Sequence, residues 1–277
     1  MDVEFTASTH TLLWKVGLET AIDEIAGAGY GGVELMAAPP HIELWGDSRP
    51  AAAAIREACR RAGVTITSVA AGFDVNLASP DGAMRDWSFR YYRAAGRLAA
   101  QLGAPYLVLH PGRRHPFKPS PYDAAREWVL EGLVRITEAM QDEGVRPLIE
   151  NTPTTMLDTA EECVDVVTAI GADRLGVCYD VANGFMVEEP GHGLRTVGKL
   201  LDLIHLSDTT AASWQHDPIG AGELDFSALA VVANEIGFGG PIVAETIHPI
   251  HPRPGLQADL LALREAGWAA VGAAAER

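Results

Sequence analysis

The chain repeats one unit along its length: a short apolar run, a loop, and a stretch in which apolar residues recur every three to four positions. Each apolar run has the length of a buried β-strand, and each following stretch has the periodicity of an amphipathic helix. Strands that alternate with helices pair in parallel. About eight such units in 277 residues match a single (β/α)8 TIM barrel, which has roughly 250 residues. The predicted strands cover 3–7, 32–35, 65–70, 106–109, 147–149, 175–179, 203–204 and 241–244.

The chain shows no linker and no shift in composition, so residues 1–277 are predicted to form one α/β domain. Glycines follow the predicted helices, as in Ala62-Gly63-Val64, which is typical of a left-handed helix cap before the next strand. The loops after the strands are long, whereas those before the strands are short. Because (β/α)8 barrels carry their sites on the loops after the strands, we expect the site at that end. The long loops are 36–50, 110–121, 208–225 and 246–254.

Composition argues against several classes of protein. The formal net charge is −16, and because nucleic-acid binders use Lys and Arg to neutralise phosphates, we predict no nucleic-acid partner. No apolar stretch approaches the roughly 18 residues of a membrane span, so no membrane partner is predicted. Three cysteines are too few for a disulfide framework or a thiolate zinc site. Residues 1–5 lack the basic and apolar regions of a signal peptide, which favours a cytoplasmic location.

Four successive predicted strands end in side chains that bind metals. These are Glu150, Asp180, His205 and Glu245, each directly after an apolar run. Any one of them alone is more simply a polar strand end, held by backbone groups or a surface arginine. Four in register favour a metal centre, because the ends of parallel strands converge in a barrel. Three carboxylates and an imidazole suit Mn²⁺, Co²⁺ or Mg²⁺ better than a structural zinc site.

The motifs around these residues resemble the sugar phosphate isomerase/epimerase superfamily, whose members have a xylose isomerase-like TIM barrel. The resemblance covers nearly the whole chain. It implies one divalent metal ion held by the four residues, with Mn²⁺ first and Co²⁺, Mg²⁺ or Zn²⁺ as alternatives, and a homodimer or homotetramer. The matching motifs are Ile149-Glu150-Asn151, Tyr179-Asp180, Leu203-Ile204-His205-Leu206-Ser207-Asp208, Val243-Ala244-Glu245, the Gly-rich run 218–226, and 101–112 around the fourth strand.

The resemblance also implies a reaction. In ketose 3-epimerases of this superfamily, the glutamates that match Glu150 and Glu245 bind the metal and serve as catalytic base and acid. Chelation of a carbonyl and its neighbouring hydroxyl acidifies the C–H bond and stabilises an enediolate, and a positioned carboxylate transfers the proton. The implied activity is isomerisation or epimerisation of a small sugar, cyclitol or related hydroxy-carbonyl compound.

Two departures from the epimerase pattern keep other functions open. Asn183 stands where those relatives have a histidine, and Ala211 stands where they have an arginine. A lyase or dehydratase that uses the same enolate is the main alternative, and a barrel that binds a ligand without turnover is the third. Endonuclease IV, which needs three metals and many histidines, fits less well because of Asn183 and the net charge of −16.

Further residues near the strand ends are candidates for the mouth of the barrel. His110 ends the fourth strand as a substrate contact or as a hydrogen-bond partner of Glu150. Arg113 and Arg114 either hold a carboxylate or phosphate or form a solvated pair. Glu34 is predicted to be a buried structural carboxylate. The predicted substrate contacts are His10, Trp14, Phe73, His110, Asn183, Asp208, His216 and His248.

Overall fold

The strands of the barrel match the predicted repeat. The computed structural model describes residues 5–71, 75–247 and 255–272. Within this part of the chain, eight parallel strands close into a barrel, and a short antiparallel hairpin follows the seventh strand. The barrel strands are β1 (Phe5–Ser8), β2 (Gly32–Ala37), β3 (Thr65–Ala71), β4 (Tyr106–Leu109), β5 (Arg146–Glu150), β6 (Gly176–Asp180), β7 (Leu201–Leu206) and β10 (Ile242–Ala244), and the hairpin strands are β8 (Asp208–Thr210) and β9 (Ser213–Asp217). The order around the barrel is β1-β10-β7-β6-β5-β4-β3-β2.

Helices connect the barrel strands and cover the outside of the barrel. Their ends follow local rules: Gly63 and Gly103 close two of them in the left-handed conformation, and Thr159 and Glu162 form a capping box at the start of another. The helices are α1 (Leu18–Gly27), α2 (Arg49–Ala62), α3 (Gly82–Leu102), α4 (Tyr122–Gln141), α5 (Ala160–Ile170), α6 (Val181–Phe185), α7 (Pro190–Val197), α8 (Phe226–Glu235) and α9 (Leu256–Glu265).

The core has two layers. The larger layer lies between the strands and the helices and includes Ile22, Tyr92 and Trp268, all essentially buried. The smaller layer fills the barrel itself, with inward-facing side chains from successive strands. It comprises Leu13, Met36, Ala70, Val108, Leu148, Cys178, Leu203 and Val243. The closed inner layer supports the strand ends above it, where the polar residues begin.

Two elements were not predicted from the sequence, the short helix α6 and the β8–β9 hairpin. Helix α6 begins directly after Asp180, because the Asp180 carboxylate accepts a hydrogen bond from the Asn183 backbone N–H at 2.7 Å. Before β7, helix α7 begins at Pro190 and is followed by a 3₁₀ turn over Gly198–Leu200. Along the residues that the structure describes, no helix combines the length and apolar character needed to cross a bilayer.

Candidate metal centre

The four predicted ligands meet at the carboxyl end of the barrel. Glu150 and Asp180 end β5 and β6, His205 is the penultimate residue of β7, and Glu245 directly follows β10. Each offers one ligand atom, and these atoms all lie within 4.8 Å of one another. The strand register brings two of these residues together directly, since Asp180 pairs with His205 across β6 and β7. All four side chains are buried, so the cluster lies at the bottom of the barrel mouth.

His205 is at the centre of the cluster, and both of its ring nitrogens face carboxylates. Nδ1 lies 3.1 Å from Glu245 Oε2 and 3.5 Å from Glu150 Oε1. Nε2 lies 3.1 Å from Glu34 Oε2, which also accepts a hydrogen bond from the Ser68 hydroxyl at 2.8 Å. A proton on Nε2, donated to Glu34, leaves the lone pair of Nδ1 facing the other ligands. Glu34 is therefore buried as predicted, and it also orients the imidazole.

The residues fit a divalent cation. Among the described residues, the buried atoms Asp180 Oδ2 and His205 Nδ1 have no hydrogen-bond partner. A buried polar atom without a partner costs about 1–3 kcal/mol, and a bound cation would coordinate both. Three carboxylates and one imidazole also match the oxygen-rich preference of Mn²⁺ and Mg²⁺, with nitrogen accepted by Mn²⁺ and Co²⁺.

Burial opposes negative charge on the three carboxylates. It raises the pKa of Glu150 to about 8 and raises the pKa of Asp180. Burial would also raise the pKa of Glu245, but its close contacts with His205 and His10 hold it well below its usual range. A divalent cation would lower the pKa of each carboxylate, so metal binding and ionisation support each other at this cluster.

Asn183, a predicted substrate contact, lies against the predicted metal ligand Glu150. Its side-chain Nδ2 donates to Glu150 Oε1 at 3.2 Å and to the backbone oxygen of Asn151 at 3.0 Å. Its Oδ1 accepts a hydrogen bond from Trp214 Nε1 at 2.9 Å. Asn151 in turn exchanges two hydrogen bonds with the backbone of Asp180. This network ties the ends of β5 and β6 together and orients Glu150.

Three histidines that were predicted to contact substrate each approach one carboxylate of the cluster. Burial lowers the pKa of His110 to about 4, so its ring is neutral at pH 7. His110 Nδ1 also lies 3.2 Å from Thr152 Oγ1, and His216 Nδ1 lies 2.9 Å from Ser207 Oγ. The closest pairs are His10 Nδ1 with Glu245 Oε1 at 3.2 Å, His110 Nδ1 with Glu150 Oε2 at 3.6 Å, and His216 Nδ1 with Asp180 Oδ2 at 3.8 Å.

Two other predicted contacts, Asp208 and Trp14, have different surroundings. Asp208 has a different role in the structure, because its two carboxylate oxygens accept hydrogen bonds from four backbone N–H groups of its own loop. Trp14 is 81% exposed, whereas Phe73 and His248 lie outside the described residues. The N–H donors to Asp208 belong to Thr209, Gly220, Gly222 and Leu224, at 2.8–3.1 Å.

Cys178 is a neighbour of the site that the sequence analysis did not identify. It is fully buried, and with Glu150 and His205 it forms a second set of side chains that could hold a metal. Cys178 precedes Asp180 by two residues in β6, so both side chains are on the same face of the strand. That spacing was available in the sequence, but three scattered cysteines indicated no metal site.

Comparison with known proteins agrees with this architecture. The family model described as a xylose isomerase-like TIM barrel matches residues 22–266. This match covers most of the chain, which therefore belongs to that family.

Individual relatives are distant. An uncharacterized protein, MJ1311, of Methanocaldococcus jannaschii is 25% identical over 182 residues, which is 62% of this chain and 61% of the relative. A protein named probable endonuclease 4 of Methanoculleus marisnigri is 28% identical over 174 residues, which is 54% of this chain and 59% of the relative. The chain thus spans less than two thirds of the length of these relatives.

Among solved structures, one titled D-tagatose 3-epimerase-like protein superposes with a TM-score of 0.84 at 22% identity, covering 95% of this chain and 96% of that one. The D-psicose 3-epimerase of Clostridium cellulolyticum H10, solved with D-tagatose, gives a TM-score of 0.76 at 18% identity and covers 99% and 96%. At these identities the likeness concerns the fold.

Proposed function

We propose that the chain is a divalent-metal-dependent isomerase or epimerase of a sugar, cyclitol or related hydroxy-carbonyl compound. One observation carries the proposal. The buried carboxylates of Glu150 and Glu245 lie 3.5 Å and 3.1 Å from the same nitrogen of His205. Epimerisation needs two such groups, one that removes a proton and one that returns it. The neighbouring structures titled as ketose 3-epimerases support the same class of reaction.

The two glutamates approach from different sides. The strand order is β10-β7-β6-β5, with His205 on β7. Glu245 follows β10, on one side of β7, and Glu150 ends β5, on the other side. A divalent cation at this cluster would polarise the substrate carbonyl and acidify the adjacent C–H bond. One of the two glutamates would take the proton from one face of the substrate, and the other, in its protonated form, would supply a proton to the opposite face. Asn183 and His10 hold the two carboxylates in orientation through the contacts described above.

The experiment is proton exchange in D₂O. The Mn²⁺-loaded protein is incubated with a panel of ketoses, inososes and small hydroxy-carbonyl acids, and NMR follows deuterium at the carbon next to the carbonyl. We expect deuterium in an isomerised or epimerised product. Loss of water or of another β-substituent would identify a lyase instead. Metal binding without any exchange across the panel would favour a barrel that only binds its ligand.

The Glu150→Gln variant tests whether Glu150 transfers a proton in the reaction. The glutamine amide would keep the shape of the side chain and its contact with Asn183 but could not accept a proton. We expect turnover and deuterium exchange to fall by about 10²–10⁴-fold with an unchanged circular dichroism spectrum. Glu161→Gln, which removes an exposed carboxylate on α5, is the matched control. Turnover within a few-fold of wild type would remove Glu150 from this role.

A second candidate is an endonuclease, because several sequence relatives are named probable endonuclease 4. The described residues offer less for that chemistry. In the ranges that the structure covers, the side chains able to hold a metal form two overlapping sets that share Glu150 and His205. These sets make one centre, whereas endonuclease IV needs three metals. Incubation with a duplex containing an abasic site decides the question, since cleavage lost in Glu150→Gln would favour the nuclease.

A further inference from the structure

One segment of this acidic chain carries only positive charge. The net charge of the whole chain is −16, yet no acidic residue occurs between Asp86 and Asp123. A local excess of cations in a molecule of opposite net charge attracts anions to one place. The basic residues of the segment are Arg90, Arg93, Arg97, Arg113, Arg114 and Lys118.

Three of these cations line one cavity. The loop between β4 and α4 borders a cavity of about 720 Å³, next to the loop after β5. No acidic side chain lines this cavity among the residues that the structure describes. Several hydrogen-bond donors therefore face this cavity, and none of its described lining residues is a carboxylate. The polar lining includes Ser79, Arg113, Arg114, His115, Lys118 and Thr154.

No acidic residue in the described part of the chain pairs with the cations at the cavity. Within the described residues, Arg113, Arg114 and Lys118 form no ion pair, and Arg114 packs over the ring of Tyr122 at 5.7 Å. Some arginines elsewhere are paired: Arg146, for example, lies 2.9 Å from the carboxylate of Asp202. Three like charges around one cavity repel one another, and a bound anion would remove that cost.

The loop is held in place before any ligand binds. Asn76 Oδ1 accepts a hydrogen bond from the Arg113 N–H at 3.0 Å, and Asn76 Nδ2 donates to the Arg113 carbonyl at 2.8 Å. His115 Nδ1 accepts hydrogen bonds from the N–H groups of Phe117 and Lys118, both at 3.1 Å. That arrangement puts the ring proton on Nε2, so the free end of His115 is a donor. An ordered loop loses less entropy on binding.

The cavity is close to the metal centre along the chain. His110 Nδ1 lies 3.6 Å from Glu150 Oε2, and Arg113 follows His110 by only three residues, a span of at most about 10 Å. Thr154, on the other side of the cavity, follows Glu150 by four residues. One small molecule could therefore contact both places.

We propose that this cavity binds the anionic end, a phosphate or carboxylate group, of a small substrate whose hydroxy-carbonyl end reaches the metal centre. Guanidinium groups match both oxyanions through paired hydrogen bonds. A nucleic acid would need cations in a row along the surface rather than around one cavity. The inference rests on the proposed function for the role of the anion, but the binding of an anion can be measured without turnover.

The test is calorimetric titration of the metal-loaded protein with inorganic phosphate and, separately, with acetate. We expect at least one of them to bind wild type, and the stronger one identifies the anionic group. Arg113→Gln/Arg114→Gln should bind at least tenfold more weakly. Arg93→Gln removes one exposed charge of the same segment outside the cavity and should bind like wild type. No binding to wild type, or equal binding to the double variant, would overturn the proposal.

Two further measurements separate this proposal from the metal-dependent function. Glu245→Ala, which should lose the metal, is expected to keep its phosphate or acetate affinity, and loss of that affinity would assign the anion to the metal centre instead. A duplex oligonucleotide that displaces the anion at 0.15 M salt would overturn the small-molecule assignment in favour of a nucleic acid. Thermal melts by circular dichroism verify that each variant is folded.

Discussion

At the residue scale, the candidate site depends on how one imidazole is held. His205 faces the cluster through Nδ1 and faces Glu34 through Nε2, and Ser68 donates to the same Glu34 oxygen. Carboxylates in that position fix the tautomer of a ligating histidine and increase its basicity. Glu34 would therefore act on a bound metal ion through His205, as a positioning residue.

Substituting Glu34 tests this chain of contacts. Glu34→Gln keeps an oxygen that can accept the Nε2 proton but removes the negative charge. We expect Mn²⁺ affinity to fall by about 10–100-fold, measured by competition with a chelating dye. Ser68→Ala, which removes only the neutral donor to Glu34, should change the affinity less. Equal Mn²⁺ affinity in Glu34→Gln and wild type would contradict the role.

At the element scale, two segments depend on aspartate side chains: the start of helix α6 depends on Asp180, and the loop before α8 depends on Asp208. Asp180 starts α6 through its Oδ1 while its Oδ2 stays within the cluster. Asp208 holds the loop between β9 and α8, since its carboxylate binds the N–H groups of Gly220, Gly222 and Leu224. At Gly222 a side chain would collide with Asp208 and with the Thr209 carbonyl, which explains a glycine there.

Removing the Asp208 carboxylate should loosen this loop. Asp208→Ala would leave four N–H groups without their acceptor, at about 1–3 kcal/mol for each one that stays buried. We expect a loss of about 3 kcal/mol in the free energy of unfolding, measured by urea denaturation. Asp225→Ala, which removes the cap of α8, should cost only about 1 kcal/mol. If both variants unfold at the same urea concentration, the loop does not depend on Asp208.

At the scale of the whole molecule, Asp259 connects α9 to two distant segments. Its carboxylate accepts hydrogen bonds from the Ile219 N–H at 3.0 Å and from the Thr246 hydroxyl at 3.1 Å. The side chain is buried, and burial raises its pKa from 3.8 to about 6 despite these bonds. The folded protein therefore holds the Asp259 proton more tightly than the unfolded chain does.

The stability of the protein should change with pH for this reason. The pKa of Asp259 is higher in the folded protein than in the unfolded chain. Its contribution to the free energy of unfolding is therefore fully present below about pH 4 and is lost as pH rises through about 6. One pKa unit corresponds to about 1.4 kcal/mol, so the loss is about 3 kcal/mol. Urea denaturation of wild type and Asp259→Asn at several pH values isolates this slope. Parallel curves for the two proteins would contradict it.

Metal removal should also affect the whole molecule. A cation that binds only the folded state adds about 2.7 kcal/mol at a concentration one hundred times its dissociation constant. We expect about one equivalent of metal in the purified wild type and a lower melting temperature after EDTA, restored by Mn²⁺. Glu245→Ala should contain no metal and should melt at the same temperature with or without EDTA. A wild type indifferent to both reagents would exclude the metal centre.

Some of this protein was determined by the sequence alone. The repeat of apolar runs and amphipathic stretches predicted the barrel, because those patterns are local and each depends on a few neighbouring residues. Glu150 and Asp180 were predicted to lie together for a related reason. In a closed parallel barrel all strands end on one side, so the last residue of a strand is brought close to the others by topology.

Other features were decided only by the tertiary structure. Glu34 and His205 are 171 residues apart in the chain, and no local pattern pairs a carboxylate on β2 with an imidazole on β7. Asp208 was predicted to meet substrate, but the packing of residues 220–224 against it engages both of its oxygens. Side-chain partners depend on strand register and on how loops fold back, and these follow from the sum of long-range contacts. The sequence therefore determined the barrel and the polar residues at its strand ends, whereas the folded chain determined which partner each of these side chains meets.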